Sequence, residues 1–261
     1  MATNPNQSAA RTGAEESVHD DLENVSALVL GNGGELGAEL LRTFVAAGAT
    51  VIAPRNKQPG LGEANDIVFI DTPSLDSDQD CLSEAEHLRN AIDDRVDQLD
   101  AVVTLQDGRW LGEDLTDVSM ETWHRALQNG LTVPFARAQA LLPLLGASTA
   151  SYTVLNSPLA ELPTPAAGPA AVTAAGRRML VQMLIQETVD ETVRINEIVP
   201  FLPKTTPYTY RGSESVTITG AAAVAAALST PSSEVRGQLI RLRDSDDVNA
   251  WTEPPQRDGV D

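Results

Sequence analysis

Lysine is almost absent from this chain: Lys57 and Lys204 are the only two among 261 residues, so nearly all positive charge is arginine. Against 18 basic residues stand 37 acidic ones, a formal charge of -19. So acidic a surface repels nucleic acid and anionic membranes and argues against both as partners. Cysteine is scarcer still. Cys81 alone permits neither an internal disulfide nor a cysteine-based metal cluster, and it reads as a small apolar helix residue. No apolar run reaches the ~18 residues of a membrane-spanning helix, and the N-terminus is polar and acidic, not basic then apolar. The expectation is a soluble, cytoplasmic protein. A GC-rich genome would favour arginine over lysine but would not add carboxylates. The excess of Asp and Glu is instead the composition of proteins from concentrated salt, where ions screen the mutual repulsion of surface carboxylates.

What the chain does have is enough apolar residue, 42%, to build the core of one α/β domain. Residues 1–24 are small, polar and acidic without periodicity and read as a disordered tail, as do residues 245–261. Between them, over residues 25–244, short apolar runs alternate with amphipathic stretches. The runs at Ser26–Leu30, Thr50–Ala53, Ile67–Asp71, Ala101–Thr104, Tyr152–Asn156, Arg194–Val199 and Gln238–Leu242 predict strands. Helices are predicted over Leu36–Ala47, Cys81–Arg95, Met120–Leu145, Ala170–Thr188 and Gly220–Leu228. Such alternation predicts a doubly wound parallel sheet of about seven strands with helices on both faces.

The first predicted strand runs straight into Gly31-Asn32-Gly33-Gly34-Glu35-Leu36-Gly37. Glycines at 31, 34 and 37, between a strand and a helix, make a turn that brings backbone N–H groups toward a pyrophosphate. Further along stand Arg194-Ile195-Asn196-Glu197-Ile198-Val199-Pro200 and Gly237-Gln238-Leu239-Ile240-Arg241-Leu242, with Trp123 and Pro134-Phe135 in the long central helix. Together these resemble the short-chain dehydrogenase/reductases, a family with a Rossmann-type fold. The resemblance spans about Ser26 to Asp244. The glycine spacing is similar to the family's extended or atypical variant, its other main variant having glycine where Glu35 stands.

The resemblance implies a nicotinamide dinucleotide as cofactor. After the second strand, Pro54-Arg55-Asn56-Lys57 replaces the acidic residue that would meet the ribose hydroxyls of NAD, and Arg55 is suited to the 2′-phosphate of NADP. Asp71 matches the aspartate that faces the adenine, and Thr205 the threonine that contacts the carboxamide. Relatives use a tyrosine as general acid/base, a lysine four residues later, a serine, and a helix asparagine that anchors a relay water. Ala170-Ala171-Val172-Thr173-Ala174-Ala175-Gly176 aligns with their A-A-Y-S-A-S-K, which puts Val172 at the tyrosine and Gly176 at the lysine. Tyr152, Tyr208 and Tyr210 are followed four residues on by Asn156, Gly212 and Glu214, so no slip of alignment restores the pair. Gly130 stands at the asparagine, with Asn129 about 100° away around the helix.

Ser157 lies near the serine position, at a longer spacing than usual, and is a weak catalytic candidate beside its reading as a turn residue. Thr104-Leu105-Gln106-Asp107 replaces an N-N-A-G segment, Phe201 replaces a glycine, and Glu35 and Asp107 add negative charge near the phosphates. His124 reads as a solvated helix residue, Arg177 and Arg178 as surface arginines or an anion contact beside the vacated lysine, and Tyr208 and Tyr210 as lid packing. Three functions follow: a non-catalytic subunit oligomerising with family members through the two long central helices; an NADP-dependent oxidoreductase with unconventional residues; or a nucleotide-sensing scaffold. For assembly, homomeric or with an intact relative, Ala138, Ala140, Leu141 and Leu142 with Met179, Leu180, Met183 and Leu184 supply the expected apolar face.

Overall fold

Seven strands form one sheet in the computed structural model, which describes residues 21–31, 33–55, 67–72, 78–105, 112–146, 149–188, 193–202 and 216–252. They are β1 (Ser26–Leu30), β2 (Thr50–Pro54), β3 (Ile67–Ile70), β4 (Ala101–Leu105), β5 (Ser151–Leu155), β6 (Arg194–Pro200) and β7 (Leu239–Leu242). All pair in parallel, in the order β3-β2-β1-β4-β5-β6-β7. The chain winds outward one way from β1 and then, from β4, the other way. The C-terminal ends of β1 and β4 therefore flank the switch point, where folds of this type bind ligands.

Buried β-branched and leucine runs such as Ala101-Val102-Val103 carry apolar side chains on both faces, so both faces need covering. On one, α1 (Gly34–Ala46) and α6 (Ile218–Ser229) pack Leu40, Leu41, Phe44 and Val224 against Ala27, Val29 and Val51. On the other, α2 (Asp78–Asp93), α4 (Val133–Leu141) and α5 (Gly168–Glu187) pack Leu88, Ile92, Leu141 and Val181 against Leu28, Ile52, Val102 and Val154. Cys81 is buried in a small cluster with Ala85, Val133 and Ala136. A buried ion pair from Arg137 to Glu84 ties α4 to α2. Among the described residues no helix is long and apolar enough to cross a membrane, and no group of His, Cys, Asp and Glu could hold a metal ion.

Three expectations need correcting. The ordered chain begins before residue 25: Leu22 is fully buried in the core and its N–H donates to the carbonyl of Ala47. At the other end, α7 (Ser245–Thr252) forms inside the segment read as tail, and Val248 and Trp251 pack against the core. Two apolar residues three apart suffice once acidic residues occupy the first turn, where the helix dipole favours them. The long central helix is not uniform. It runs as α3 (Met120–Leu127), a π-helical turn (Gln128–Thr132), α4 and a 3-10 turn (Leu142–Leu144). Pro134 accounts for the break, because it has no N–H to give to the carbonyl four residues back, that of Gly130.

Candidate functional site

At the switch point Gly31 has φ +77°, and a Cβ there would lie 1.7 Å from the carbonyl oxygen of Leu105 at the end of β4. Only glycine lets the two strand ends approach so closely. Gly34 (φ +88°) starts α1, Gly33 has open space where its Cβ would be, and Gly37 is buried in the helix. The predicted turn thus sits where the fold requires it, with Gly33 as the N-cap of α1 and no side-chain capping bond. Glu35 lies exposed in the first turn.

Arg55 and Asp71, which the sequence assigns to different parts of a dinucleotide, are brought together at the ends of β2 and β3. Arg55 Nε donates to Asp71 Oδ1 at 2.9 Å, and the guanidinium sits over the Phe69 ring, 5.5 Å from its centroid. Both side chains are well exposed, so the pair is worth less than about 1 kcal/mol and leaves the arginine available to a phosphate. Lys57, Asp107, Thr205, Tyr208 and Tyr210 lie outside the described residues.

The region of the vacated catalytic residues differs from the sequence reading. Val172 is exposed, and Gly176 lies close to the Leu131 side chain. A Cβ on Gly130 would come within 2.6 Å of Thr173 Cβ and 2.7 Å of its Oγ1, so α5 and the π turn touch where an asparagine side chain would otherwise stand. Asn129 is exposed, as its helix phase requires, and so is His124. Ser157 is a cap: its Oγ accepts from the N–H of Leu159 at the start of a 3-10 turn, Pro158–Ala160.

Arg177 is not on the surface. It is 4% exposed, and its guanidinium points inward. Nε and Nη2 donate to Asn156 Oδ1 at 3.1 and 2.8 Å, and Nη1 donates to the Gly130 carbonyl at 2.7 Å. That carbonyl is the one Pro134 cannot serve. Asn156 in turn donates to the Ala174 carbonyl and to Glu197 Oε1. Arg178, also expected at the surface, bridges Glu197 and Glu161, and Glu161 accepts from Arg241 Nε. The network joins the π turn, β5, α5, β6 and β7.

Its electrostatics follow from burial. Desolvation pulls the Arg177 guanidinium down to about 10, Glu197 opposing the shift from nearby, and it still remains charged at neutral pH. Burial pushes the Glu161 carboxyl up. The hydrogen bond from Arg241 and the charges of Arg178 and Arg241 together outweigh it and hold the group below the usual carboxylate range. Tyr152 is enclosed in the core, where burial raises its phenol well above the ordinary value despite the charge of Arg137. Such a phenol is unsuited to general acid work at neutral pH.

Sequence reasoning missed Asn156, Glu161, Glu197 and Arg241. Two signals could have found the network: a proline four residues after a glycine within a helix, and a glutamate inside β6, a strand buried along its whole length. The outer faces of the helix pair match expectation at Met179 and Met183 and differ at Ala138 and Leu141. Ala138 and Leu141 face the core, whereas Phe135, Val172, Met179 and Met183 are exposed.

Sheet order, glycine turn and switch point define a doubly wound α/β protein of the Rossmann type. The chain belongs to the short-chain dehydrogenase/reductase family, and the family model that matches it, over residues 33–234, is described as Enoyl-(Acyl carrier protein) reductase. No curated protein matches the sequence significantly. Solved structures share the fold at low identity. NADH-dependent reductase A1-R′, responsible for alginate metabolism, is 17% identical with a TM-score of 0.71, over 87% of this chain and 98% of that one. RhlG of Pseudomonas aeruginosa, solved as an NADP active-site complex, is 20% identical with a TM-score of 0.69, over 87% and 97%. A Brucella ovis oxidoreductase of the same family, in complex with partially ordered NAD, is 20% identical with a TM-score of 0.65, over 84% and 100%.

Among the described residues, groups that would hold a dinucleotide stand at one end of this site. Gly31, Gly33 and Gly34 provide the close backbone approach that phosphates need, with Arg55 at the adenosine side. At the opposite end Val172 and Gly176 offer no group to hold a ribose. Asn156, Ser157, Thr173 and Arg177 direct their polar atoms onto the protein itself.

Proposed function

We propose that this chain is a non-catalytic, oligomer-forming subunit that supports a catalytically intact relative. The carrying observation is the replacement of the proton donor and its partner cation by Val172 and Gly176, while the nearest cation, Arg177, is buried and bonded inward. No described side chain there is placed to exchange a proton with a bound carbonyl. Phe135 on α4 with Val172, Met179 and Met183 on α5 supports the second half of the reading, since apolar side chains exposed along adjacent helices favour association. The partner is another subunit of the family, either a second copy or an intact relative that supplies the tyrosine and lysine. The acidic surface suits concentrated salt.

A second reading, a nucleotide-sensing scaffold, draws on the intact glycine turn. There the favoured dinucleotide is NADP(H), because no acidic residue follows β2 and Arg55 can neutralise a 2′-phosphate. RhlG holds NADP and the Brucella ovis protein holds NAD, consistent with a dinucleotide at this place in the fold.

Light scattering in molar KCl, with the chain alone and mixed with an intact relative, tests assembly. A dimer or tetramer is expected. A screen of ketones and acyl thioesters with NADPH tests the chemistry, and no turnover is expected. Robust turnover that survives substitution of Ser157 and Tyr208 would overturn the proposal, as would a monomer under every condition.

A further inference from the structure

We infer that the buried patch between β5, β6 and the C-terminal end of α6 is a binding site for a small monovalent anion such as chloride, held by Ser151, Thr153 and Arg194. The patch lies on the face of the sheet opposite α5, away from Val172 and Gly176, and owes nothing to the subunit reading.

Four buried side-chain polar atoms have no hydrogen-bond partner among the described residues, and three of them fall together: Ser151 Oγ, Thr153 Oγ1 and Arg194 Nε. Ser151 and Arg194 are register partners on β5 and β6, and Thr153 stands two residues along from Ser151. All three side chains therefore point to one face of the sheet. It is the face that α6 covers, since Tyr152, Val154 and Ile195 between them pack on the other. Ser151 and Thr153 are fully buried and Arg194 is 5% exposed. The polar neighbours are already committed. Asn196, opposite Thr153, gives its Nδ2 to the Val235 carbonyl and accepts from the N–H of Gln238, and Ser229 donates to the Ala225 carbonyl.

Charge decides what kind of ligand fits. Arg194 Nη1 donates to the Leu228 carbonyl, and Nη2 to those of Thr149 and Thr230, all neutral acceptors. Burial draws the guanidinium below its ordinary value, and among the described residues no carboxylate opposes the shift. The carbonyls at the end of α6 supply about half a negative charge. The rest of a buried cation is costly unless a counter-ion meets it. A water molecule would satisfy the hydrogen bonds and leave the charge. A monovalent anion answers both, because the Nε–H and the two hydroxyls can all donate to it.

Melting temperatures at fixed ionic strength, with about 1 M chloride replacing gluconate, test the site, since the surface carboxylates are then screened alike in both salts. Gluconate is too bulky for a patch enclosed in the core. For an ion bound at about 10 mM, the parent should gain roughly 5–10 °C more than a Ser151→Ala, Thr153→Val double variant. In gluconate the double variant should melt at or above the parent, because each substitution removes a buried hydroxyl that lacks a partner. Neither substitution adds bulk, so the variant keeps the fold. Crystals grown in bromide should show anomalous scattering within hydrogen-bond distance of Ser151 Oγ. Equal chloride responses in parent and double variant would overturn the inference, as would a water molecule at Ser151 in the bromide crystals. A double variant destabilised equally in both salts would also defeat it, since the hydroxyls would then be bonded within the protein.

Discussion

Alanine at residue 130 should destabilise the fold through a single contact. The new Cβ would lie 2.6 Å from Thr173 Cβ, 2.7 Å from Oγ1 and 3.0 Å from Cγ2. Thr173 cannot swing aside freely, being buried with its hydroxyl bonded to the Ala170 carbonyl. The π turn and α5 must separate by some tenths of an ångström, and Arg177 already bridges them. Overpacking of this kind costs about 1–3 kcal/mol. At roughly 2–4 °C per kcal/mol for a domain of this size, the melting temperature should fall by several degrees. Because one of the three atoms is Cβ itself, Thr173→Ala removes only part of the clash and Thr173→Gly removes all of it. Thermal and urea unfolding of the Gly130→Ala, Thr173→Gly and double variants should show a favourable coupling of at least about 1 kcal/mol, with Thr173→Ala giving less. Single-variant losses that add within about 0.5 kcal/mol would refute the reasoning and mean that the helices do not meet there.

Three further outcomes follow. Arg177→Ala removes three hydrogen bonds to neutral acceptors, the Gly130 carbonyl among them, so urea unfolding should register a loss of about 1–3 kcal/mol. Arg177→Lys should fall between, since one ammonium cannot reproduce the fork; an Arg177→Ala variant as stable as the parent would contradict the buried geometry. Glu161, held below the usual carboxylate range, binds fewer protons folded than unfolded, so its contribution is complete above its ordinary value near 4.5 and is lost as pH falls through the folded one. Stability should accordingly drop less steeply in acid for Glu161→Gln than for the parent, and identical acid profiles would argue against the Arg178 and Arg241 contacts. Finally, the melting temperature should rise from low to molar KCl as carboxylate repulsion is screened; indifference to salt would remove the reading of a protein adapted to it.

The strands were legible nearly to the residue because most are short apolar runs, a local property that the sequence itself displays. β1 and β4 begin where the pattern predicts, and the glycine turn falls between β1 and α1 for the same local reason. The family is shown by the match over residues 33–234, which takes in most of that turn and the Arg194–Pro200 segment, whereas Gly237–Leu242 lies beyond it. α7 was not legible. Its two apolar residues make no pattern until a core exists to receive Val248 and Trp251.

By itself the sequence determined that this is a doubly wound sheet with a glycine turn at its first crossover, and that Val172 and Gly176 occupy the aligned positions of a tyrosine and a lysine. It could not say which way a side chain faces. Arg177 and Arg178 are adjacent on one helix and look alike as letters, yet one reaches the π turn and the other reaches Glu197 and Glu161. Arg55 and Asp71, 16 residues apart, become a pair only because β2 and β3 end side by side. Hydrophobic periodicity is written along the chain, where neighbours in sequence suffice to read it. Polar partnerships are made across elements, and there only the tertiary structure decides.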